Sequence, residues 1–182
     1  SSSPRRIELL HMLFPVFTVT PSNIIENSSS LDPYDVPAEL SLLKASDVAL
    51  NKKAAAVIGA DTAVIIGTMI LGKPKNREEA FGMLRVLSGK THSVVTGVTV
   101  ICDCVVNTFS ETTLVTFYDL SDEEINAYID TDEPYDKAGA YGIQEKAALF
   151  VKEIKGDFYN VIGLPVARVG RVIKEQYPWL LY

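Results

Sequence analysis

Cysteine, histidine and long apolar runs are all scarce in this chain, and each shortage argues against a class of protein. The two cysteines in 182 residues, Cys102 and Cys104, stand one residue apart. On a strand that spacing puts both on one face and offers no sensible structural bridge, so a reduced, cytoplasmic setting is the simplest expectation. A zinc site built from both cysteines with His11 and His92 would match no standard ligand spacing. Apolar stretches such as 54–60 and 63–67 are broken by polar residues far short of membrane-spanning length. No basic-then-apolar leader opens the chain, so nothing argues for secretion. Basic residues are outnumbered as well. The net charge is −6 and the pI about 4.9, which suits neither a nucleic acid nor a membrane surface as partner. A small anion held by a local group of cations is compatible with both figures.

Hydrophobic residues make up 47% of the chain and charged residues 22%, the balance of a folded protein with its own core. One domain over 1–182 is expected, long enough to divide into two lobes. After Pro4, the positions of Ile7, Leu10, Leu13 and Phe14 predict a helix. Residues 16–20 read as a strand, and 27–37 as a loop. Pro37 opens a helix carrying Leu40, Leu43 and Leu50. The run 54–60 reads as a buried strand with Asp61 at its carboxyl end. Asn76 and Glu79 have capping-box spacing ahead of Ala80, Met83, Leu84 and Leu87, and Gly89 stops that helix. Strands are expected over 92–102, 112–118 and 148–154. Ser121 with Glu124 forms a second capping box, before Ile125, Tyr128 and Ile129. Pro165 starts a last helix with Val166, Val169, Val172 and Ile173. This order predicts an α/β fold with a mixed central sheet flanked by helices.

Four stretches have the residue types for chemistry. In 1–6, serines precede a proline at a helix start, with Arg5 and Arg6 in the first turn. Cations there oppose the helix dipole unless an anion sits nearby. The plainer reading is two solvated arginines. Asp61 stands where α/β proteins bind ligands and suits a metal or a general base; a turn or cap aspartate is the commoner case. Residues 67–73 fit the start of a P-loop, but Pro74 stands where the metal-binding hydroxyl belongs and the intervening residues look like a strand. The P-loop reading fails, leaving Lys73 as a point charge for phosphate. In 136–144, Gly139 and Gly142 permit close backbone approach to a ligand, and Gln144 could read a base edge. Alone, that loop is an ordinary turn.

Together these pieces resemble the Maf family of nucleoside triphosphate pyrophosphatases. Seven motifs carry the resemblance in order: Ser-Ser-Pro-Arg-Arg (2–6), Gly-Ala-Asp-Thr (59–62), Leu-Gly-Lys-Pro (71–74), Met-Leu-Arg-Val-Leu-Ser-Gly (83–89), His-Ser-Val-Val-Thr-Gly-Val (92–98), Asp-Lys-Ala-Gly-Ala-Tyr-Gly-Ile-Gln (136–144) and Asn-Val-Ile-Gly-Leu-Pro (160–165). Any one is weak; the ordered set is specific. The Arg-Arg opening and the Gly-Ile-Gln loop are similar to the branch acting on dTTP and UTP. The resemblance implies an elongated two-lobed fold with a central cleft, a divalent cation (Mg²⁺ or Mn²⁺), and release of pyrophosphate from a nucleoside triphosphate. A homodimer would suit the family. By position, Asp61 matches the general base and, with Glu26, the metal site; Lys73 completes the catalytic set. Ser3, Arg5, Arg6, Lys44, Thr62, Lys137 and Gln144 match substrate-binding positions, with Arg5, Thr62 and Gln144 where base preference is set. The sequence departs from the family twice. It starts at Ser1, at the motif itself, where the family has a hydrophobic strand ahead of it. Glu145 follows Gln144 where the family usually has glycine, adding negative charge near a polyanion. The contrasting reading is a non-catalytic, nucleotide-binding regulator of septum formation, which would need no carboxylate base.

Overall fold

The β-branched stretches pair into one five-stranded sheet. The computed structural model describes residues 2–51, 56–103 and 105–180. Its strands are β1 (Ala56–Ile66), β2 (Met69–Leu71), β3 (Thr91–Cys102), β4 (Val105–Phe117) and β5 (Val151–Lys155). Their order across the sheet is β2-β1-β3-β4-β5. Every described pairing is antiparallel. The α/β fold with a helix-flanked central sheet is therefore present, but the expected mixture of strand directions is not. Only two residues separate β1 from β2 and β3 from β4, with Ile66 opposite Met69 and Cys102 opposite Val105, so these neighbours run in opposite directions. Gly67, at φ 60, supplies the left-handed residue in the first of them.

Six α-helices are described: α1 (Pro4–His11), α2 (Val36–Asn51), α3 (Arg77–Leu87), α4 (Asp122–Ile129), α5 (Phe158–Ile162) and α6 (Val166–Gln176). Asn76 caps α3 by accepting from the Glu79 amide, while the Glu79 carboxylate accepts from Lys75 N and so reaches one residue past the reciprocal position. Ser121 and Glu124 make the full capping box on α4. Residues 16–20 do not form the expected strand. They lie between Pro15 and Pro21, and Val16 is 88% exposed, so β-propensity there has no sheet to join. The strand expected from 148 begins at Val151, because 146–150 wind into a 3₁₀ turn. Helix α5 was not legible as a helix; Asp157 starts it by accepting from the Tyr159 and Asn160 amides, and Gly163, at φ 127, ends it. Cys102 is buried with a free thiol. Cys104, the other cysteine of the zinc arrangement, lies outside the described residues.

One face of the sheet receives α2. Gly59 and Gly97 make this possible. A Cβ on Gly97 would lie 2.2 Å from the Pro37 carbonyl, and one on Gly59 would lie 2.6 Å from the Ser41 carbonyl oxygen. The buried hydroxyls of Ser41 and Thr99 meet across this contact at 2.8 Å. The opposite face carries the apolar core. Leu84, Val94, Val115, Phe117, Ile125 and Tyr128 form one cluster involving α3 and α4. Leu9, Val98, Val100, Val169 and Ile173 form another involving α1 and α6. No described helix is long and apolar enough to cross a membrane.

His92 is the titratable group most committed to this core. Its Nε2 meets the Tyr141 hydroxyl at 2.7 Å, and its Nδ1 has no partner among the described residues. Burial pushes the ring from 6.5 down to about 4. Above pH 6.5 the ring is neutral in folded and unfolded chains alike. Between 6.5 and 4 only the unfolded chain takes up the proton, so stability falls as pH falls through that window and this contribution is constant below it. The full effect is on the order of 3 kcal/mol. In urea melts from pH 7 to 4, His92→Gln is expected to remove roughly one proton from the pH slope; an unchanged slope contradicts the assignment.

Candidate active site

Asp61 is not at the end of its strand. Residues 63–66 resume the apolar run, so β1 goes past the charge to Ile66. Asp61 lies opposite Gly97 in register, on the face that α2 covers. The close approach permitted at Gly59 and Gly97 therefore brings Lys44, from α2, onto Asp61. Lys44 Nζ is 2.7 Å from Asp61 Oδ1, with the two side chains only 17% and 14% exposed. The same ammonium lies 2.9 Å from Glu26 Oε1. One cation thus joins carboxylates from β1 and from the irregular segment between α1 and α2.

Thr62, the next residue, points to the other face and meets α1 and α5. Arg6 Nη2 donates to Thr62 Oγ1 at 2.8 Å, and Arg6 Nε donates to the Gly163 carbonyl at 2.8 Å. Thr62 Oγ1 also contacts Thr96 Oγ1 at 3.0 Å, and Thr96 donates to the Asn160 carbonyl at 3.1 Å. The Arg6 guanidinium is thereby held by β1 and by the end of α5, with Thr96 bracing Thr62 from β3. Burial pulls its pKa below the ordinary arginine value, helped by Arg5, while Asp61 and Glu26 work in the other direction. A strongly desolvated guanidinium beside Arg5 favours an anion nearby.

The third group lies in 133–145. Lys137 is 7% exposed. Its ammonium donates to the Glu133 carbonyl at 2.6 Å and Asp136 Oδ1 at 2.7 Å, and lies 3.0 Å from Glu145 Oε2. Its stem runs under Gly142, where a Cβ would lie 2.5 Å from Lys137 Cε. Arg5 Nη1 reaches Asp136 Oδ2 at 3.1 Å. Burial alone would raise the Asp136 pKa, but Lys137 and Arg5 outweigh it and hold the carboxyl below its ordinary value. Glu145 is therefore turned onto a cation of its own loop.

Beside these groups is a cavity of about 1200 Å³, lined by Ser3, Arg5, Arg6, Glu26, Lys44, Asp61, Thr62, Lys73, Lys137 and Gln144, among others. All ten residues singled out from the sequence border it. Asp61 and Thr62 both do so, although they point to opposite faces, because the described pairing of β1 with β2 is confined to Val64–Ile66. Cationic side chains in the lining exceed carboxylates by one, in a chain of net charge −6. Lys73 follows β2, is exposed, and makes no ion pair among the described residues. The P-loop-like stretch 67–73 is a turn and a strand, with no phosphate cradle. Sequence reasoning passed over Asp136, although it adjoins Lys137, and read Glu145 only as added charge.

A family model described as Maf-like protein matches residues 1–176. The chain belongs to the Maf family. It is similar to the dTTP/UTP pyrophosphatase of Carboxydothermus hydrogenoformans, 49% identical over 96% of this chain and 95% of that one. It is similar also to the dTTP/UTP pyrophosphatases of Bacillus cereus and Bacillus anthracis, each 48% identical over 96% of this chain and 92% of theirs. Within this Maf protein, the buried Lys137 and its half-exposed partner should respond differently to mutation. Lys137→Met keeps the stem but removes the donor shared by three acceptors, and is expected to cost about 1–3 kcal/mol. Glu145→Gln should cost less than about 1 kcal/mol, because that carboxylate is partly solvated. Thermal melts of both variants check this order; equal losses contradict it.

Proposed function

We propose that this Maf protein hydrolyses dTTP and UTP to the monophosphate and pyrophosphate. The observation carrying the proposal is the convergence of Arg5, Arg6, Lys44 and Lys73 with Asp61 and Glu26 around one cavity, in a chain about half identical to dTTP/UTP pyrophosphatases along nearly its whole length. We read 1–182 as one catalytic domain whose cavity is the cleft between two lobes. A cytoplasmic location suits the substrate.

Among the described residues there is no group of three or more His, Cys, Asp or Glu side chains arranged for a metal ion. A divalent cation at a nucleotide site needs less than that, since phosphates and water complete its shell. Glu26 and Asp61 supply two hard oxygen donors that already converge on the Lys44 ammonium, and this donor set fits Mg²⁺ or Mn²⁺. When bound there, the ion would polarise phosphate oxygens and offset their charge.

The chain's own residues account for the remaining steps. Arg6, held by Thr62 and Gly163, sets a fixed positive charge toward phosphate, and Ser3 lines the same cavity. Lys73 adds an unneutralised point charge. Lys44 is near enough to the carboxylates to pass from them to phosphate oxygens as substrate enters. Asp61 accepts the proton of the water that attacks the α-phosphorus. The bond from that phosphorus to the bridging oxygen breaks, and pyrophosphate leaves against the cations. Gln144, exposed at the cavity, offers both an amide donor and an acceptor to the base edge. Arg5 and Thr62 frame the same choice. Lys137 acts on the substrate through the loop it anchors, since its ammonium already has three acceptors.

Assays of pyrophosphate release from dTTP, UTP, CTP and purine triphosphates with Mg²⁺ or Mn²⁺ test the proposal. Turnover is expected to be highest with dTTP and UTP; release of γ-phosphate, or no release, defeats it. Asp61→Asn is expected to lower kcat by roughly 10²-fold or more, with nucleotide binding retained. A wild-type kcat in that variant removes Asp61 from the chemistry.

A further inference from the structure

The segment delivering Glu26 to the cavity has no regular structure to hold it: residues 12–35 contain neither helix nor strand. Glu26 itself is a weak anchor, since its side chain is 60% exposed. An ion pair that open contributes little against the entropy of ordering an irregular segment. Yet the segment lies along α2 in a fixed alignment. Asn23 N donates to Asp47 Oδ2 at 2.9 Å. Glu26 meets Lys44. Ser29 donates to Glu39 Oε1 through its amide at 3.1 Å and its hydroxyl at 2.8 Å, and Ser30 N donates to Glu39 Oε2 at 3.1 Å. The Ser28 hydroxyl also donates to Glu39 Oε2. As the chain advances from 23 to 30, its partners on α2 step back from 47 to 44 to 39. The segment therefore runs antiparallel to the helix and is tied on both sides of Glu26.

We propose that Glu39, seconded by Asp47, is a positioning residue that sets Glu26 against Lys44 and Asp61 by clamping 23–30 to α2. This rests on the reading of the cavity as the pyrophosphatase site. The clamp itself does not, being a property of the free chain. Glu39 suits the task because one carboxylate can accept from several donors at once. Those hydrogen bonds, from Ser28 first and then Ser29 and Ser30, hold its pKa at about 2, so it stays an acceptor across the working pH range. Glutamine in its place would keep one carbonyl acceptor and lose the charge.

The test uses the full chain in five forms: wild type, Glu26→Ala, Glu39→Ala, Glu39→Gln and the Glu26→Ala, Glu39→Ala double variant. Amide hydrogen exchange across 22–31, without nucleotide or metal, reads the clamp. Pyrophosphate release from dTTP with Mg²⁺ reads its consequence. Glu39→Ala is expected to speed exchange across 23–30 by at least about tenfold, with β1 and β3 as protected as in the wild type. It is also expected to lower kcat/KM several-fold in the wild-type background, yet by less than about twofold once Glu26 is alanine, because it acts through Glu26. Glu39→Gln should fall between wild type and Glu39→Ala on both readouts. Unchanged exchange across 23–30 overturns the proposal, as does an equal activity loss with and without Glu26. Should the wild type release no pyrophosphate, the reading of the cavity falls, and the exchange measurement decides the clamp alone.

Discussion

A single ammonium holds three parts of this chain together. Lys44 Nζ meets Asp61 on the sheet and Glu26 on the loop from a position on α2. Both Lys44 and Asp61 are largely withdrawn from water, so the pair is strong only while the geometry is kept, and stripping either partner would leave a costly buried charge. That makes the arrangement a poor source of stability and a well-defined source of position. It also keeps two carboxylates together in the free protein, beside the cavity proposed to receive the triphosphate and its cation. The mutual repulsion that would otherwise separate them is cancelled in advance by Lys44.

The geometry behind that contact comes from two missing side chains. With a Cβ at Gly59 or Gly97, α2 would be pushed off the sheet, and Lys44 with it. The same face-to-face approach aligns Glu39 and Asp47 with the segment carrying Glu26. On the opposite face, Arg6 is oriented by Thr62 and by the carbonyl that ends α5. The cavity is thus assembled from both faces of one strand, with the carboxylates reached from α2 and the fixed guanidinium reached from α1. Catalysis of phosphoryl chemistry depends largely on such positioning and electrostatics.

The residue types of the site were legible in the sequence; their surroundings were only partly so. Capping signals located α3 and α4, since Asn76 and Ser121 act through local hydrogen bonds. The position of Asp61 was misjudged because a charge in an apolar run looks like an ending, and only pairing with β3 shows that β1 continues. Strand direction was misread for a similar reason: it depends on which strands meet, not on local pattern. Residues 16–20 have strand composition but no partner. The acceptors of Lys137 and the role of Glu39 were invisible, because both depend on contacts between segments. Glu145 drew notice as an extra charge, and the structure gives it a cation in its own loop.

In the proposed reaction, water attacks the α-phosphorus in a cavity built around Asp61 and its neighbouring cations. Turnover of dTTP in ¹⁸O-labelled water, followed by mass spectrometry of both products, addresses it directly. The label is expected to enter the thymidine monophosphate, with the pyrophosphate left unlabelled. Label in the pyrophosphate would mean attack at the β-phosphorus and would contradict the placement of Asp61 as the base for α-attack.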